Sequence, residues 1–345
     1  MATIYEEIFV RSPRFISITA TNGDTTSIDV YLWNHGGSIP SSPTYTLSKP
    51  IPSANLLTVN YDVSPYCREF IKHTSYSEVT AMTTGDSEEF CYCMIVRKIN
   101  GTALVNNNYF VAFDGFGYYE DGYNPDNGSV FLDEGTYYIQ EGVNSGGLYY
   151  YDDGVDTWEA TYTGLTTGGT TTFTLDADYN YIPYIHPTYQ GEGNTLEIFK
   201  NSVLQKTFTF EEVCEPKYTP LKCDFVNKYG SWQRLILFKA SRQNFEASGT
   251  EFNLMPSDLD YNIQENRRQT FNRNAIRSIK GNTGFVPESY KGVMKQLLLS
   301  EKILIDDEPV KLRTQTVELQ EHITKKLINY ELEFEYSHEQ RNYVI

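Results

Sequence analysis

The sequence is short of cysteine, of basic residues and of long apolar runs. Its 345 residues include five cysteines, and 28 lysines and arginines stand against 45 aspartates and glutamates, a formal net charge of −17. Five cysteines in a chain of this length do not form a disulfide framework. A strongly acidic chain repels phosphate, which argues against a general nucleic-acid binder. No apolar run approaches the ~20 residues of a membrane helix.

Motifs that carry chemistry are also missing. The sequence has no phosphate-binding loop, no glycine-rich dinucleotide turn after a strand, no HExxH zinc motif and no GxSxG nucleophile turn. The histidines show no metal-ligand spacing beside the cysteines, so we expect neither a metal nor a cofactor. We predict that the protein is not an enzyme and has no catalytic residues. The first residues lack a basic segment followed by an apolar one, so we expect no secretory signal.

Charge and tyrosine are divided unequally along the chain. Residues 1–216 carry 9 basic and 28 acidic residues, whereas residues 217–345 carry 19 and 17. Of the 28 tyrosines, 21 lie before residue 217. The change coincides with Pro216 and Pro220, in a charged stretch without periodicity that is typical of a domain edge. We therefore predict a boundary near residue 215.

Residues 1–100 predict a β-sandwich of the immunoglobulin or fibronectin kind. Apolar and polar residues alternate over 14–20 and 27–34, and Asn22-Gly23 between them indicates a hairpin turn. Residues 90–99 predict a further strand. Ser64-Pro65 opens a short helical pattern, with the serine as its N-cap. Several short strands at close spacing favour the sandwich.

Residues 101–215 are rich in glycine, tyrosine and aspartate and predict a second all-β module. Residues 196–210 form a clear hairpin pattern around the turn 200–202. Tyr149, Tyr150 and Tyr151 are candidate contacts for a glycan, because aromatic rings stack on sugars. The alternative is ordinary sheet packing, since tyrosine favours half-buried strand faces.

Residues 216–345 predict an α+β module with one helix on a sheet, which we expect to anchor an assembly. The run 231–238 indicates a buried strand, and 326–336 alternates strictly between apolar and charged residues. The best helical spacing in the chain begins at Pro287 and ends near Ser300. The predicted fold class is mainly β: tandem β-sandwich-like modules followed by this C-terminal α+β module.

Four arginines cluster in the third segment and are candidates for an interface. Arginine is favoured at protein interfaces because its guanidinium donates several hydrogen bonds in a fixed plane. The alternative is that they lie exposed on a loop. They are Arg267, Arg268, Arg273 and Arg277.

Several segments resemble recurrent elements of virion proteins from tailed bacteriophages of Bacteroidetes, including crAss-like phages. The resemblance covers the first and third segments of the chain and is weaker in the tyrosine-rich middle. The segments are 11–15 (Arg-Ser-Pro-Arg-Phe), 45–53, 224–241 (opening Asp-Phe-Val-Asn-Lys-Tyr-Gly-Ser-Trp-Gln), 282–288 (Asn-Thr-Gly-Phe-Val-Pro-Glu), 295–301 and 327–336.

This resemblance implies a structural component of the phage neck, tail or baseplate, arranged in a symmetric ring or sleeve. Its partners would be other virion proteins and copies of itself, with no membrane and no direct nucleic-acid contact. It would be made in the host bacterial cytoplasm and reside in the virion. The resemblance implies no catalytic residues.

Two other classes of function remain open at this point. A carbohydrate-binding module or adhesin that recognises a bacterial surface glycan is favoured by the tyrosines, whereas the missing secretory signal counts against it. A polysaccharide-degrading enzyme is the third class. Acidic residues are so abundant that no pair of carboxylates can be singled out as its site.

Overall fold

The structure is a computed structural model. It describes residues 5–21, 23–52, 57–74, 76, 82–84, 88–117, 128–140, 146–164, 169–175, 178–185, 194–213, 217–255, 264, 267–316 and 327–342. Strands make up 60% of the described residues and helices 6%, which confirms the predicted mainly-β fold class. The chain divides into two compact units, Met1–Cys214 with Phe225–Arg234 and Glu215–Asp224 with Leu235–Ile345.

Most strands of the first unit precede residue 214. They are, with the one helix, β1 (Glu6–Phe9), β2 (Phe15–Ala20), β3 (Thr25–Trp33), β4 (Tyr45–Pro50), β5 (Leu57–Asp62), α1 (Ser64–Phe70), β6 (Thr83–Thr84), β7 (Phe90–Ile99), β8 (Thr102–Ala103), β9 (Asn108–Phe113), β10 (Ser129–Val130), β11 (Gly135–Gln140), β12 (Gly147–Asp152), β13 (Trp158–Thr163), β14 (Thr170–Leu175), β15 (Asp178–Pro183), β16 (Asn194–Lys200) and β17 (Val203–Val213).

These strands form four sheets. The first has the order β1-β9-β7-β3-β4 with β8 beside β7, and β2 pairs with β5 separately. The buried faces of these two sheets share one apolar core, in which Ile16 and Ile18 of β2 belong with Ile28 and Val30 of β3. The other sheets have the orders β10-β12-β15-β6 and β11-β17-β16-β13-β14. Sheets joined through buried faces are the sandwich-like arrangement predicted from the alternating patterns.

Two local predictions for this unit are wrong in detail. β2 and β3 are the predicted strands, but they do not form a hairpin with each other: β2 pairs with β5, whereas β3 pairs with β4 and β7. The short helix exists, yet Ser64 is not its N-cap. The helix begins at Ser64 after Val63, and the Ser64 hydroxyl donates to the carbonyl of Ser12 at 2.8 Å instead.

The hairpin predicted at 196–210 is confirmed as β16 and β17. Its turn residues Asn201 and Ser202 have φ angles of 50° and 63°. Positive φ at both central residues is the geometry of the two-residue turns that match strand twist. Asn201 also accepts a hydrogen bond from the Thr157 backbone N–H at 2.9 Å, which links the turn to the loop that precedes β13.

The second unit contains one large sheet and a helix. Its elements are β18 (Leu221–Val226), β19 (Trp232–Leu237), β20 (Arg242–Asn253), β21 (Arg268–Pro287), α2 (Tyr290–Leu299), β22 (Ile303–Ile305), β23 (Glu308–Leu312), β24 (Leu327–Tyr336) and β25 (Gln340–Asn342). The sheet order is β19-β18-β22-β23-β24-β21-β20, with β25 beside β21. The division between the two units falls within β18 and β19.

The predicted helix and last strand of the second unit are confirmed. α2 buries Tyr290, Val293 and Leu297, which recur at helical spacing. In β24 the apolar positions are buried, Leu332 and Phe334 completely. Among the described residues, no helix is long and apolar enough to cross a membrane.

The two predicted module boundaries can be compared with the sheets and with the two compact units. The predicted boundary at residue 100 falls just before β8 and β9, which belong to the same sheet as β3 and β7. Residues 1–100 therefore do not complete their own sheet. The predicted boundary near residue 215 lies next to Cys214, the last residue of the range Met1–Cys214 in the first unit. The three-module division as a whole stays a prediction.

Candidate assembly interface

β20 and the first part of β21 form an exposed two-stranded ribbon. We define the ribbon as residues 242–253 and 268–280, with Arg242 opposite Lys280 at its base. All twelve residues of β20 are exposed, and β20 is the end strand of its sheet. The outer edge of β20 therefore has no strand partner among the described residues. Such an edge is a template on which another strand can add.

In the distal half of the ribbon, the two strands pair only with each other among the described strands. β24 pairs with β21 over 278–287, and β25 pairs with it over 273–275. Residues 249–253 and 268–272 thus have no third strand in the part of the chain that the structure describes. A two-stranded hairpin alone is marginally stable in water, so this half would gain from a partner.

A bulge separates the two halves of the ribbon. The register shifts between Ser248 and Thr250, and Asn272 adopts a φ of 52°, which asparagine tolerates better than most residues. A Cβ atom at Gly249 would lie 2.7 Å from Cγ2 of Thr270. Glycine therefore allows close packing beside the bulge, which increases the local twist.

Both faces of the ribbon carry exposed phenylalanine. Strand alternation and the register place Phe252 and Phe271 on one face and Phe245 on the other. Their exposures are 39%, 48% and 58%. The Phe252 and Phe271 rings contact each other edge to face, with centroids 5.6 Å apart. Exposed aromatic rings on both faces favour a protein partner over simple solvation.

The four candidate arginines occupy different parts of this ribbon. Arg268 is exposed and pairs with Glu251 across the strands. Arg273 is exposed at the bulge and has no ion pair within the described chain. Arg277 lies near the base, where Nη2 is 2.5 Å from the Glu308 carboxylate and its guanidinium is 4.2 Å from the Tyr336 ring centroid.

The carbonyl of the fourth arginine, Arg267, accepts the Leu254 N–H at 2.7 Å, so it continues the ribbon by one pair. The alternative of a plain exposed loop is therefore wrong for Arg268, Arg273 and Arg277, which lie in β21, whereas Arg267 lies just before the strand. Arg268 and Arg273 are exposed, whereas Arg277 is held within its own unit by Glu308.

The candidate glycan contacts are corrected by the structure. Tyr149, Tyr150 and Tyr151 are 4%, 1% and 3% exposed, because β12 is covered on both faces. The Tyr149 ring stacks on Tyr179 at 5.1 Å, and the Tyr150 ring lies 6.1 Å from Trp158. No sugar can stack on these rings without opening the core. The alternative of ordinary sheet packing holds.

One cluster of charged side chains in the first unit surrounds a buried carboxylate. Arg11 donates two hydrogen bonds to Asp114, both at 2.9 Å. Arg68 Nε lies 3.4 Å and His73 Nε2 3.7 Å from the same carboxylate. A bidentate guanidinium pair of this kind fixes geometry. The cluster ties the β1 turn and α1 to the end of β9, which is a structural role.

Glu7 on β1 is a second buried carboxyl group, and it is only 2% exposed. Its Oε1 accepts the Gly128 N–H at 2.5 Å. Burial raises the pKa of Glu7 to about 8, against the smaller lowering effects of hydrogen bonds from Ser129 and Gly128. The group is therefore protonated over much of the acidic and neutral range.

Lys206 on β17 is a buried amine whose donors are bound. Nζ donates to the carbonyls of Val130 and Leu132 at 3.0 and 2.7 Å and lies 5.1 Å from the Tyr229 ring centroid. Burial lowers the pKa of Lys206 to about 8. Because two backbone carbonyls hold the amine, it links β17 to the segment after β10.

The cysteines form no metal centre in the described part of the chain. Cys67, Cys91, Cys93 and Cys223 are buried thiols without disulfides, and Cys214 lies outside the described residues. Among the described residues, no group of three or more histidine, cysteine, aspartate or glutamate side chains could hold a metal ion.

No protein-family model matches the chain, and no curated protein matches it significantly.

Proposed function

We propose that the chain is a non-enzymatic structural subunit of a bacteriophage particle, in its neck, tail or baseplate. Its subunits are arranged in a symmetric ring or sleeve, together with other virion proteins. The chain is made in the host cytoplasm and resides in the virion. The support is the resemblance to virion proteins, together with the ribbon. The resemblance covers residues 11–15, 45–53, 224–241, 282–288, 295–301 and 327–336.

The ribbon is the observation that carries this proposal. It combines a fully exposed edge strand, a distal half without a third strand, and exposed phenylalanines on both faces. These are features of a surface that is covered in an assembly. The ribbon belongs to segment 216–345, so this segment anchors the subunit.

The rival proposal of glycan binding loses the residues on which it rested. Tyr149, Tyr150 and Tyr151 pack in the core of the first unit. No other described aromatic cluster is singled out by the sequence for that role. We therefore do not carry the glycan-binding proposal further.

Mass spectrometry of purified phage particles tests the proposal. We expect peptides from this chain at a fixed ratio to the major capsid protein through successive density-gradient fractions. An abundant host cytosolic protein, followed in the same fractions, serves as the contamination control. Finding this chain only in the particle-free fraction, or at a ratio that falls with the host protein, would refute the proposal.

A further inference from the structure

The five-stranded sheet of the first unit has one face rich in threonine. Side chains alternate between the two faces of a strand. The register of β11, β17, β16, β13 and β14 therefore places one set of side chains on the face opposite the one that carries the buried core side chains. Nine positions of this set are threonine, and we call this surface the threonine face. They are Thr136, Thr161, Thr163, Thr170, Thr172, Thr174, Thr195, Thr207 and Thr209.

The threonine face is accessible at its β14 edge. Thr170, Thr172 and Thr174 are exposed, whereas Thr161 in the middle of the sheet is nearly buried. Thr161 and Thr172 share a hydrogen bond between their hydroxyls at 2.9 Å. Threonine offers both a hydroxyl and a methyl group, so this face can contact aromatic rings as well as polar donors.

The charge on the threonine face is of one sign. Glu159, Glu197 and Glu211 lie on it, and the described positions of the face include no basic residue. None of these three carboxylates forms an ion pair with the described residues. Two copies of the face would repel each other, so a complementary partner surface is cationic.

We propose that the threonine face of one copy receives the ribbon of a second copy of this chain. This inference rests on the proposed function and names the partner of the ribbon. On the ribbon, Arg242 and Arg273 form no ion pair with the described residues, whereas Arg268, Arg277 and Lys280 are paired with Glu251, Glu308 and Glu333. The threonine face presents the carboxylates Glu159, Glu197 and Glu211, which have no ion-pair partner among the described residues. The charges of the two surfaces are therefore complementary.

The two surfaces are both built from paired strands. Both are β surfaces, and stacked sheets pack face to face about 10 Å apart. Phe252 and Phe271 share a ribbon face with Arg242, while Arg273 lies at the bulge between the halves. The rings would cover threonine methyl groups, and the guanidinium groups would reach Glu159 and Glu197.

The proposed contact joins two different patches. A contact of this kind is heterologous, because the patch used on one copy differs from the patch used on the next. Repeating it generates a ring if the rotation closes and a filament if it does not. A one-directional contact of this kind is compatible with the ring or sleeve of the proposed function.

Charge-reversal variants of the full chain test the inference. The ribbon variant is Arg242→Glu with Arg273→Glu, and the face variant is Glu159→Lys with Glu197→Lys. A matched control changes exposed lysines of the second unit, Lys302→Glu with Lys311→Glu. Far-UV circular dichroism and thermal unfolding establish that each variant is folded.

Sedimentation velocity over a concentration series gives the association constants. We expect the wild type and the control to self-associate, more weakly in ~1 M salt than in ~0.1 M salt because the charges are screened. Self-association of the ribbon variant and of the face variant alone is weakened at least about tenfold. Mixing these two variants restores association, and so does combining all four substitutions in one chain.

Three results would each overturn the inference. The first is a monomeric wild type throughout the series, the second is unchanged association of either variant, and the third is a loss that mixing does not restore. The mass-spectrometry experiment on particles tests the proposed function independently of the association experiment. Variants that associate as the wild type does, in a chain present in particles, refute the ribbon contact and leave the proposed function standing. If mixing the variants restores association but the chain is absent from particles, the ribbon contact stands and the proposed function is refuted.

Discussion

At the scale of single residues, the tyrosines of the first unit act as core side chains. Tyr150 is 1% exposed and packs near Trp158. We predict that Tyr150→Ala lowers the free energy of unfolding by about 3–5 kcal/mol, the usual cost of emptying an aromatic site in a core. Urea denaturation followed by circular dichroism measures this change.

The matched control for that substitution is Tyr218→Ala, because Tyr218 is 45% exposed. We expect the control to change the free energy by no more than about 0.5 kcal/mol. A Tyr150→Ala protein as stable as the control would show that this ring is outside the core, and the glycan-binding reading would regain its residue.

Glu7 gives a prediction about pH. Its pKa is about 8 in the folded chain against an ordinary value of 4.5. Between these values the folded state holds a proton that the unfolded state releases, so stability falls as pH rises through this window, by up to about 1.4 kcal/mol per pH unit. Glu7→Gln removes that loss, because the amide does not titrate.

We therefore expect the variant to gain stability relative to the wild type as pH rises from about 5 to about 8. Denaturant unfolding at several pH values measures the difference. The control is Val105→Thr, at an exposed position without a titratable group, and its stability relative to the wild type should not change with pH. A constant difference between Glu7→Gln and the wild type across the window would contradict the pKa assignment.

At the scale of elements, the sequence predicts those with one buried face. β7, β24 and α2 are found where the apolar period places them, because burial of one face requires that period. The pairing of β2 with β5 was missed. The turn signal at Gly23 depends only on neighbouring residues. The pairing of a strand also depends on which face is buried, and Ile16 and Ile18 share their apolar core with strands that are distant in the sequence.

The ribbon was missed for a related reason. β20 has twelve exposed residues and therefore no apolar period to detect. The clustering of Arg268 and Arg273 was visible in the sequence, but the strands that carry them were not.

The glycan-contact prediction for Tyr149–Tyr151 failed for the opposite reason, because these residues are buried rather than exposed. Consecutive residues of a strand point to opposite faces, and all three are buried because β12 is covered on both sides.

The ribbon phenylalanines give the prediction at this scale. We expect Phe252→Ser with Phe271→Ser to change the free energy of unfolding by no more than about 0.5 kcal/mol, because both rings are exposed. The same substitution pair should weaken self-association in sedimentation velocity. Phe334→Ser, at a fully buried position, is the contrast and should destabilise the fold by several kcal/mol, roughly 3–5.

A different pair of results would count against an interface role for the ribbon. If the two ribbon substitutions destabilise the chain as strongly as Phe334→Ser, the rings belong to a core. If they leave both stability and association unchanged, the exposed rings have no partner in solution.

At the scale of the whole molecule, the first unit is completed by a segment that returns from further along the chain. Asn227 donates to the Phe131 carbonyl at 2.9 Å, and Ser231 shares a hydrogen bond with the Tyr179 hydroxyl at 2.9 Å. Tyr229 and Trp232 are also buried in this unit. The shift in charge and tyrosine content near residue 215 therefore marks a change in composition, while the last strands of the first unit come after it.

A truncation experiment follows from this chain path. A fragment of residues 1–216 lacks the returning segment, so the buried Phe131 carbonyl loses Asn227 and Tyr229 leaves a void in the core. The Tyr179 hydroxyl loses Ser231 and keeps its hydrogen bond to Glu89. Unsatisfied buried polar groups cost about 1–3 kcal/mol each, and an emptied aromatic site costs about 3–5 kcal/mol. We expect residues 1–216 to unfold at least about 10 °C below residues 1–236 in thermal scans. Equal melting temperatures for the two fragments would mean that residues 225–234 do not complete the first unit, and the compositional boundary near 215 would then be the structural one.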